Sequence, residues 1–555
     1  MLFQTRKIKR KHGLILLLLL LFAACCRSDF STGKMIFRYN ESSGIATLDP
    51  AYASGQSTIW ACNQLYQGLL DFDDSLHLIP CIAKEWLVSE DGKIYTFFLR
   101  TDVLFHQTDY FSFEKPRYVR AEDFVYSFNR ILETATASPG AWVFNHVARD
   151  STGHAAFVAL NDSVLQITLS NPFPPFAGIL AMKYCSVLPK EAIDFFGKDF
   201  RTHPIGTGPF LLKSWSEGVK MVLHKNEHYF EKDTQGTPLP YLDAVAITFI
   251  SEKQSVFMEF MKGSIDFMSG VEAAYKDALL TQEGTLRPEH AKQIQMLTAP
   301  YLNTEYLGFN LSPENKNNPL LIKEIRQAIN YSFDRRKMLR YLRGNIGMPG
   351  IHGFVPPGIP CYDASRLKGY DYNPEKAELL LQKAGFPHGK GLPPIHLSVS
   401  ASYLDLCQYI QHELAQTGFD IRLDLQQAAQ QRQMMREYRL PFFRASWIAD
   451  YPDAENYLSL FYSRNLQPRG SNYTHYVNST YDQYFEQAMT TLNDTLRGQN
   501  YARMDSIVMA EAPVVVLYYD QVTRFTRKTV KNLGINPVNM LQLKKVKIKE
   551  ENGEP

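Results

Sequence analysis

Few residues in this chain of 555 residues have types and spacing suited to catalysis. The stretch HKNEH, from His224 to His228, matches the inverted zinc-peptidase signature HxxEH. That chemistry needs a helix, because both histidines must project from one face onto the metal. The preceding run VKMVL alternates like a strand, and Asn226 suits a turn, so the sequence predicts a strand and turn here instead of a metal site.

Two pairs of acids could serve a glycosidase, which uses two carboxyl groups across the bond it breaks. They are Asp73 with Asp74, and Asp450 with Asp453. The glycine-rich PIGTGPF, at 204–210, lacks the spacing of a phosphate-binding loop and predicts a tight turn into a strand. A surface hydrolase using an acid pair, or His224, Glu227 and His228, is therefore only a remote alternative.

The stretch WIADYPDAENYL, at 447–458, places Asp450 between Trp447 and Tyr451. A carboxylate among aromatic rings could hold an ammonium group through a charge-assisted hydrogen bond. Taken alone, the stretch favours a structural interpretation, with Asp450 capping a turn before Pro452 and Trp447 in the core. The rest of the chain must decide between the two.

Bulk properties exclude some partners and frameworks. Lys and Arg total 59 against 57 for Asp and Glu, and this net charge of +2 gives no field to attract nucleic acid. Beyond residue 26 the cysteines are scattered, and none forms a CxxC pair, so neither a disulfide scaffold nor a zinc site is indicated. They are Cys62, Cys81, Cys185, Cys361 and Cys407, which we expect to be mainly buried thiols.

The first residues have the pattern of an export signal. A basic region at 6–11 precedes an apolar run, Leu14 to Phe22, that is too short to span a bilayer as a helix. The following FAACC resembles a bacterial lipoprotein box, which would make Cys25 the lipidated first residue of the mature protein. We therefore expect a signal peptide at 1–24, a tether at 25–34 and a lipid-anchored domain; an ordinary cleaved signal is the alternative.

The elements that must position the candidate residues are of mixed type. WLVSEDGKIYTFFLR, from Trp86, predicts a hairpin around its Asp-Gly turn, and AEDFVYSFNRIL, from Ala121, predicts an amphipathic helix. A further helix is predicted from Leu320 through Phe333, and another should end at Gly385 in a left-handed cap. The fold class is therefore α/β or α+β with more than one lobe.

Two extended apolar stretches, at 298–310 and 512–525, bracket a large part of the chain. A domain inserted between two such strands is joined to the rest by a pair of connections, which is how a hinge is built.

These motifs together resemble the extracytoplasmic solute-binding proteins, family 5, of oligopeptide, dipeptide and nickel transporters. No single motif is decisive, but they occur in the expected order along nearly the whole mature chain. The motifs are LDPAYASGQSTIWACNQLYQGLLDFD, the Asp-Gly hairpin, RAEDFVYSFNRIL, PIGTGPFLL, YLGFNLSPENKNNPLLIKEIRQAINYSFDRRKML, YDYNPEKAELLLQKAGF and WIADYPDAENYL.

The resemblance implies a large periplasmic-binding-protein fold (class II, cluster C) with two lobes, an extra subdomain and a two-strand hinge. The expected bounds are lobe I at 35–55, 200–300 and 515–550, its subdomain at 56–199, and lobe II at 301–514. It further implies an extracytoplasmic, usually monomeric protein that catches ligand between the lobes and delivers it to an ABC permease. No reaction, cofactor or metal is implied.

The resemblance also assigns ligand-binding roles. In similar peptide binders the acid of W-x-x-D-Y pairs with the peptide's α-ammonium group, and Asp450 stands at that position. Trp447 would form a flat wall, Arg444 would meet peptide backbone or carboxylate, and Asn472 would make a further polar contact. The loop carrying Ser54, Gly55 and Gln56 would face the cleft from the first lobe.

The ligand class follows less directly from the resemblance. Family members also carry nickel chelates, haem or oligosaccharides, and an acid at position 450 favours an amine-bearing ligand, hence short peptides. An oligosaccharide, a metal chelate or a signalling peptide remains the alternative within the same fold. The chain departs from the family pattern after Phe105, where QTDYFSFEKPRYV replaces a short link, and this insertion is expected to alter the subdomain or the cleft rim.

Overall fold

The computed structural model describes residues 33–549 except 315, 317, 361, 364, 365, 468 and 469. The predicted signal peptide and Cys25 lie outside the described residues, as do Cys361 and most of the predicted tether at 25–34. Within the described part strands and helices are mixed along the chain, as the sequence predicts.

One large mixed sheet runs through the molecule. β1 and β14 lie parallel to their neighbours, and the other pairs are antiparallel. In spatial order the strands are β15 (Ile421–Gln426), β14 (Ile395–Ser400), β16 (Phe442–Ile448), β12 (Ile294–Phe309), β17 (Val514–Arg527), β11 (Phe267–Ser269), β1 (Ile36–Asn40), β10 (Ala244–Thr248), β9 (Lys220–Lys225) and β8 (Phe210–Ser216), while β13 (Met348–Pro349) pairs with β17.

The two central strands connect the halves of this sheet. β12 and β17 pair with each other along most of their length, but the register shifts between the pairs Pro300↔Gln521 and Thr304↔Tyr519. Before the shift β17 also pairs with β11, and beyond it β12 also pairs with β16. The two predicted crossing stretches are therefore adjacent strands with an irregularity midway, as a hinge requires.

Smaller sheets complete the strand inventory. The Asp-Gly hairpin is confirmed, since its two strands pair antiparallel and Gly92 has φ +70°. These strands are β4 (Ala83–Val88) and β5 (Ile94–Leu99), which continue through β7 (Val164–Thr168) to β6 (Phe157–Asn161); β2 (Leu70–Phe72) pairs with β3 (Leu78–Pro80), and β18 (Val530–Lys531) with β19 (Lys547–Ile548).

Helices cover the sheets. In chain order they are α1 (Gln56–Leu65), α2 (Ala121–Leu132), α3 (Phe176–Ile179), α4 (Lys190–Phe196), α5 (Lys253–Lys262), α6 (Ala273–Leu279), α7 (Lys323–Tyr331), α8 (Arg335–Arg343), α9 (Pro374–Lys383), α10 (Leu404–Ala415), α11 (Ala428–Arg436), α12 (Glu455–Leu458), α13 (Ser479–Thr490) and α14 (Asp494–Glu511). The predicted amphipathic helix is α2, and α9 is followed by Gly385 at φ +88°, as predicted. No helix in the described ranges is long and apolar enough to cross a membrane.

The helix predicted from Leu320 through Phe333 is shorter than expected. α7 ends at Tyr331, and α8 begins after Asp334. The Asp334 carboxylate accepts hydrogen bonds from the backbone N–H groups of Arg336 and Lys337 at 2.8 and 3.1 Å, so it caps a new helix. The prediction of its end was wrong by two residues because buried Phe333 continues the apolar spacing beyond the last helical residue.

The hydrophobic cores separate along the chain. One core gathers residues from Phe37 to Phe267 together with Tyr451 and the C-terminal Val530–Val546 region, and two others gather residues almost entirely from 302–519. The predicted bounds of the lobes and the subdomain stay a prediction, which this division of the cores supports.

The glycine-rich stretch at 204–210 forms the predicted turn into β8. A Cβ on Gly206 would lie 2.1 Å from the Leu65 carbonyl oxygen, and one on Gly208 would lie 2.5 Å from that of Gln64. These glycines therefore permit close packing against the end of α1 and serve the fold.

The insertion after Phe105 packs against α4 through its aromatic residues. The rings of Phe111 and Phe113 lie 5.1 Å apart, and Phe111 also contacts Phe195 and Phe196 of α4 at 5.5 and 5.6 Å. Its aromatic residues thus cover a helix of the first core. The described cysteines, Cys62, Cys81, Cys185 and Cys407, are buried free thiols, as expected.

Candidate functional site

The motif WIADYP begins at the end of β16. Trp447, partly exposed, pairs with Thr304 of β12, and its indole N–H donates to the side-chain oxygen of Asn456 at 2.9 Å. The same oxygen accepts the backbone N–H of Asp450 at 3.4 Å. Buried Asn456 of α12 therefore fixes Trp447 and Asp450 relative to each other.

The Asp450 carboxylate is solvent-accessible yet flanked by protein. Burial raises its pKa, and the Asn456 side chain partly offsets this by hydrogen bonding. Within the described part of the chain no cation neutralises it. A positively charged ligand group placed here would gain an attractive partner and lower the pKa again.

A residue that the sequence analysis missed, Tyr184, connects Asp450 to the predicted loop of the first lobe. Burial raises the pKa of the Tyr184 hydroxyl, the charge of Asp450 raises it further, and a hydrogen bond with Ser54 lowers it. Nearby, the rings of Trp142 and Tyr451 lie 6.3 Å apart. The structure thus places Ser54 and Asp450, distant in sequence, in the neighbourhood of the same hydroxyl group.

The other two loop residues lie near the start of α1. Gly55 is the N-cap of α1 and exposed, with open space where a Cβ would project. Gln56 lines a separate cavity of about 410 Å³ together with Trp60, Ser269 and Tyr275. Gln56 therefore faces a different pocket from the one beside Trp447.

Arg444 lies in β16 and is 8% exposed. Its guanidinium forms an ion pair with the buried Glu305 of β12 and lies over the Tyr403 ring. Burial lowers its pKa to about 9, which leaves it cationic at neutral pH. Arg444 borders a cavity of about 470 Å³ that Trp447 and Tyr403 also line, but its charge already has a partner.

Asn472 is fully buried. Its amide nitrogen donates to the carbonyl oxygens of Tyr462 and Tyr476 at 3.3 and 2.9 Å, and its oxygen accepts from Thr474 and from the Tyr476 backbone. The structure therefore places Asn472 within the 462–476 segment, with its hydrogen-bonding groups occupied.

Each pair of acids proposed for a glycosidase has one member that the fold uses. Asp453 is half-buried and accepts from the Tyr501 hydroxyl at 2.6 Å, with Arg497 at 3.6 Å. Asp73 accepts two backbone N–H groups of its own turn, from Ser75 and His77, at 2.9 Å each.

The HKNEH stretch has the predicted strand and turn. His224 lies in β9, and the Asn226 side chain accepts the backbone N–H of His228 at 3.0 Å while donating to the Gly208 carbonyl at 2.9 Å. The two histidines therefore do not share a helical face, which the zinc-peptidase mechanism requires.

Buried Glu455 should make the free energy of unfolding depend on pH in a way that can be tested. Burial raises its pKa to about 7, so between its unfolded pKa near 4.5 and that value the folded state holds more protons than the unfolded state. Its contribution to stability is therefore lost as pH rises from about 4 to about 7. We expect Glu455→Gln to stabilise the protein relative to the original chain increasingly from pH 5 to 8, by up to about 3 kcal/mol in the free energy of unfolding.

Thermal or urea unfolding of both proteins across this pH range measures the difference. The comparison must be between variants, because burial lowers the pKa of His106 to about 4, which makes overall stability rise over part of the same range. Exposed Glu283→Gln is the matched control. A pH-independent difference between Glu455→Gln and the original chain would contradict the prediction.

Comparison with known proteins places this arrangement in a family. The model of the bacterial extracellular solute-binding proteins, family 5, matches residues 77–467, well over half of the chain. The chain belongs to this family. Family 5 proteins are the solute-binding components of ABC importers, so the family resemblance and the fold class predicted from the motifs are confirmed.

Individual relatives are distant but similar throughout. The glutathione-binding protein GsiB of Escherichia coli K12 is 25% identical over 504 residues, which cover 89% of this chain and 91% of GsiB. The unliganded open form of MppA, a periplasmic murein tripeptide binding protein, is 24% identical, with a TM-score of 0.77 over 93% of this chain and 98% of MppA. DppA of Helicobacter pylori, in complex with the peptide STSA, is 24% identical with a TM-score of 0.73, over the same shares.

Proposed function

We propose that this family 5 protein is a lipid-anchored receptor that captures short peptides and delivers them to the permease of an ABC importer. The observation that carries the proposal is the Asp450 carboxylate, accessible, flanked by Trp447 and without a cation beside it in the described chain. A peptide's α-ammonium group is the natural complement, and a charge-assisted bond in a closing cleft is strong.

Capture requires motion but no bond breaking. Trp447 lies at the end of β16 and Asp450 just beyond it, whereas Ser54 and Tyr184 belong to the first core's side of the molecule. Rotation about the irregular midpoint of β12 and β17 would change the separation of these two walls. We therefore propose a binding protein and not an enzyme.

The names of the relatives agree with a peptide ligand. GsiB is named as a glutathione-binding protein, and MppA as a murein tripeptide binding protein. The DppA structure contains the bound peptide STSA. The family acts outside the cytoplasm, and the lipoprotein pattern at Cys25 adds the proposal of an anchor in the cell envelope. We propose a monomer, as the family resemblance implies.

Native mass spectrometry tests the ligand class. The chain without residues 1–24 would be weighed before and after mild unfolding and refolding, and the released molecules would be fragmented. We expect a series of short peptides of mixed sequence, because main-chain and terminal groups would provide recognition while side chains vary.

A single sugar, haem or metal chelate would retain the binding-protein fold and overturn the peptide assignment. Stoichiometric zinc without an organic ligand would instead revive the hydrolase hypothesis for His224 and His228.

A further inference from the structure

The cavity of about 470 Å³ beside Trp447 has an unusual charge. Three arginines line it, Arg432, Arg436 and Arg444, and no Asp or Glu of the described residues does so. A pocket whose charged groups are all cationic and whose walls have a low dielectric constant attracts an anionic group.

Only two of these arginines are unpaired among the described residues and could bind an anionic ligand. Arg444 is already paired with Glu305. Arg432 and Arg436 are exposed, and neither has a hydrogen bond or ion pair with any described residue. They lie four residues apart on α11, so they project from one face and repel each other until an anion joins them.

The cavity also has neutral hydrogen-bond donors, and α11, which borders it, is held to the sheet by hydrogen bonds. The hydroxyl-bearing side chains of Ser400, Ser402 and Ser446 line it. Buried Gln431 donates to the carbonyl oxygens of Ser398 and Arg444 at 3.0 and 3.2 Å, which ties α11 to the sheet. The buried Nε of Arg444 has no acceptor in the described chain. A planar anion such as a carboxylate suits guanidinium groups and hydroxyl donors of this kind.

The cavity adjoins the proposed ammonium site. Trp447 lines it, and Asn456 holds Trp447 and Asp450 through one oxygen atom. A ligand bound by its amine at Asp450 would therefore pass Trp447 to reach Arg432 and Arg436.

We propose that this cavity is a carboxylate subsite, so that the protein prefers peptides carrying an acidic side chain or presenting their C-terminal carboxylate there. The proposal rests on the proposed peptide-binding function. Arg432 and Arg436 are the residues that set this preference.

Calorimetry with eight tripeptides tests it and separates the two carboxylate sources. They are Ala-Glu-Ala and Ala-Ala-Glu, their glutamine counterparts, and the C-terminal amide of each. We expect a Glu-to-Gln exchange or C-terminal amidation to weaken binding about tenfold to 100-fold, the range for a lost hydrogen bond to a charged group. Whichever change weakens binding, the Glu-to-Gln exchange or the C-terminal amidation, identifies the carboxylate that occupies the subsite.

The double variant Arg432→Met and Arg436→Met should remove this discrimination while still binding neutral peptides. Arg439→Met, whose arginine pairs with Glu437 beyond the end of α11, is the matched control and should keep it. Peptides that bind the original chain without regard to either carboxylate would overturn the subsite alone. Failure of all peptides to bind would overturn the proposed function itself.

Discussion

Asp450→Asn should weaken peptide binding about 100-fold or more while leaving the melting temperature nearly unchanged. The substitution keeps the shape of the side chain but removes the only partner that we assign to the ligand's ammonium group. Removing one member of a buried charge pair costs about 2–5 kcal/mol, which corresponds to this loss of affinity. Because burial already disfavours the charged form of Asp450, the neutral amide should not destabilise the ligand-free protein.

A peptide with an acetylated N-terminus provides the decisive control. Acetylation should weaken binding to the original chain to a similar extent, and it should have little further effect on Asp450→Asn, because each change removes one side of the same interaction. Calorimetry on both proteins with both peptides completes the cycle. A folded variant with unchanged affinity would return Asp450 to the role of a turn residue.

The fold was largely predictable because its signals are local. The Asp-Gly turn, the apolar spacing of α2 and the extended runs at β12 and β17 each determine their own element. The end of α7 shows the limit, since Phe333 extends the apolar spacing two residues beyond it, up to the capping residue Asp334. Its preference for the N-cap was a signal that could have located the break.

The site was predictable only where one motif contains its residues. Trp447 and Asp450 lie together because they are three residues apart in sequence, and Asn456, in the same stretch at 447–458, could have been predicted as their anchor. Tyr184 could not, because only packing between distant segments brings it near Asp450. Arg432 and Arg436 are charged residues on an ordinary helix until the cavity beside them is known.

Arg444 also shows that contacts between distant segments are not predictable from one motif, since its ion-pair partner lies on another strand. Its predicted contact with peptide was inferred from position alone, whereas strand pairing between β12 and β16 places it against Glu305, itself held by the Asn303 amide at 3.0 Å. Both side chains are buried, at 8% and 3% exposure. A charge in such surroundings is tolerated only with its partner.

We therefore expect Arg444→Met or Glu305→Met alone to destabilise the protein by about 3–5 kcal/mol, the usual range for breaking a buried pair. The double variant should be more stable than either single one, because no unpaired charge remains and methionine fills the space. Urea unfolding of the four proteins measures the coupling, and strictly additive losses would contradict a pair. Peptide affinity of the stable double variant then decides the remaining role: retained affinity makes Arg444 a structural residue of β16, whereas lost affinity restores it as a ligand contact.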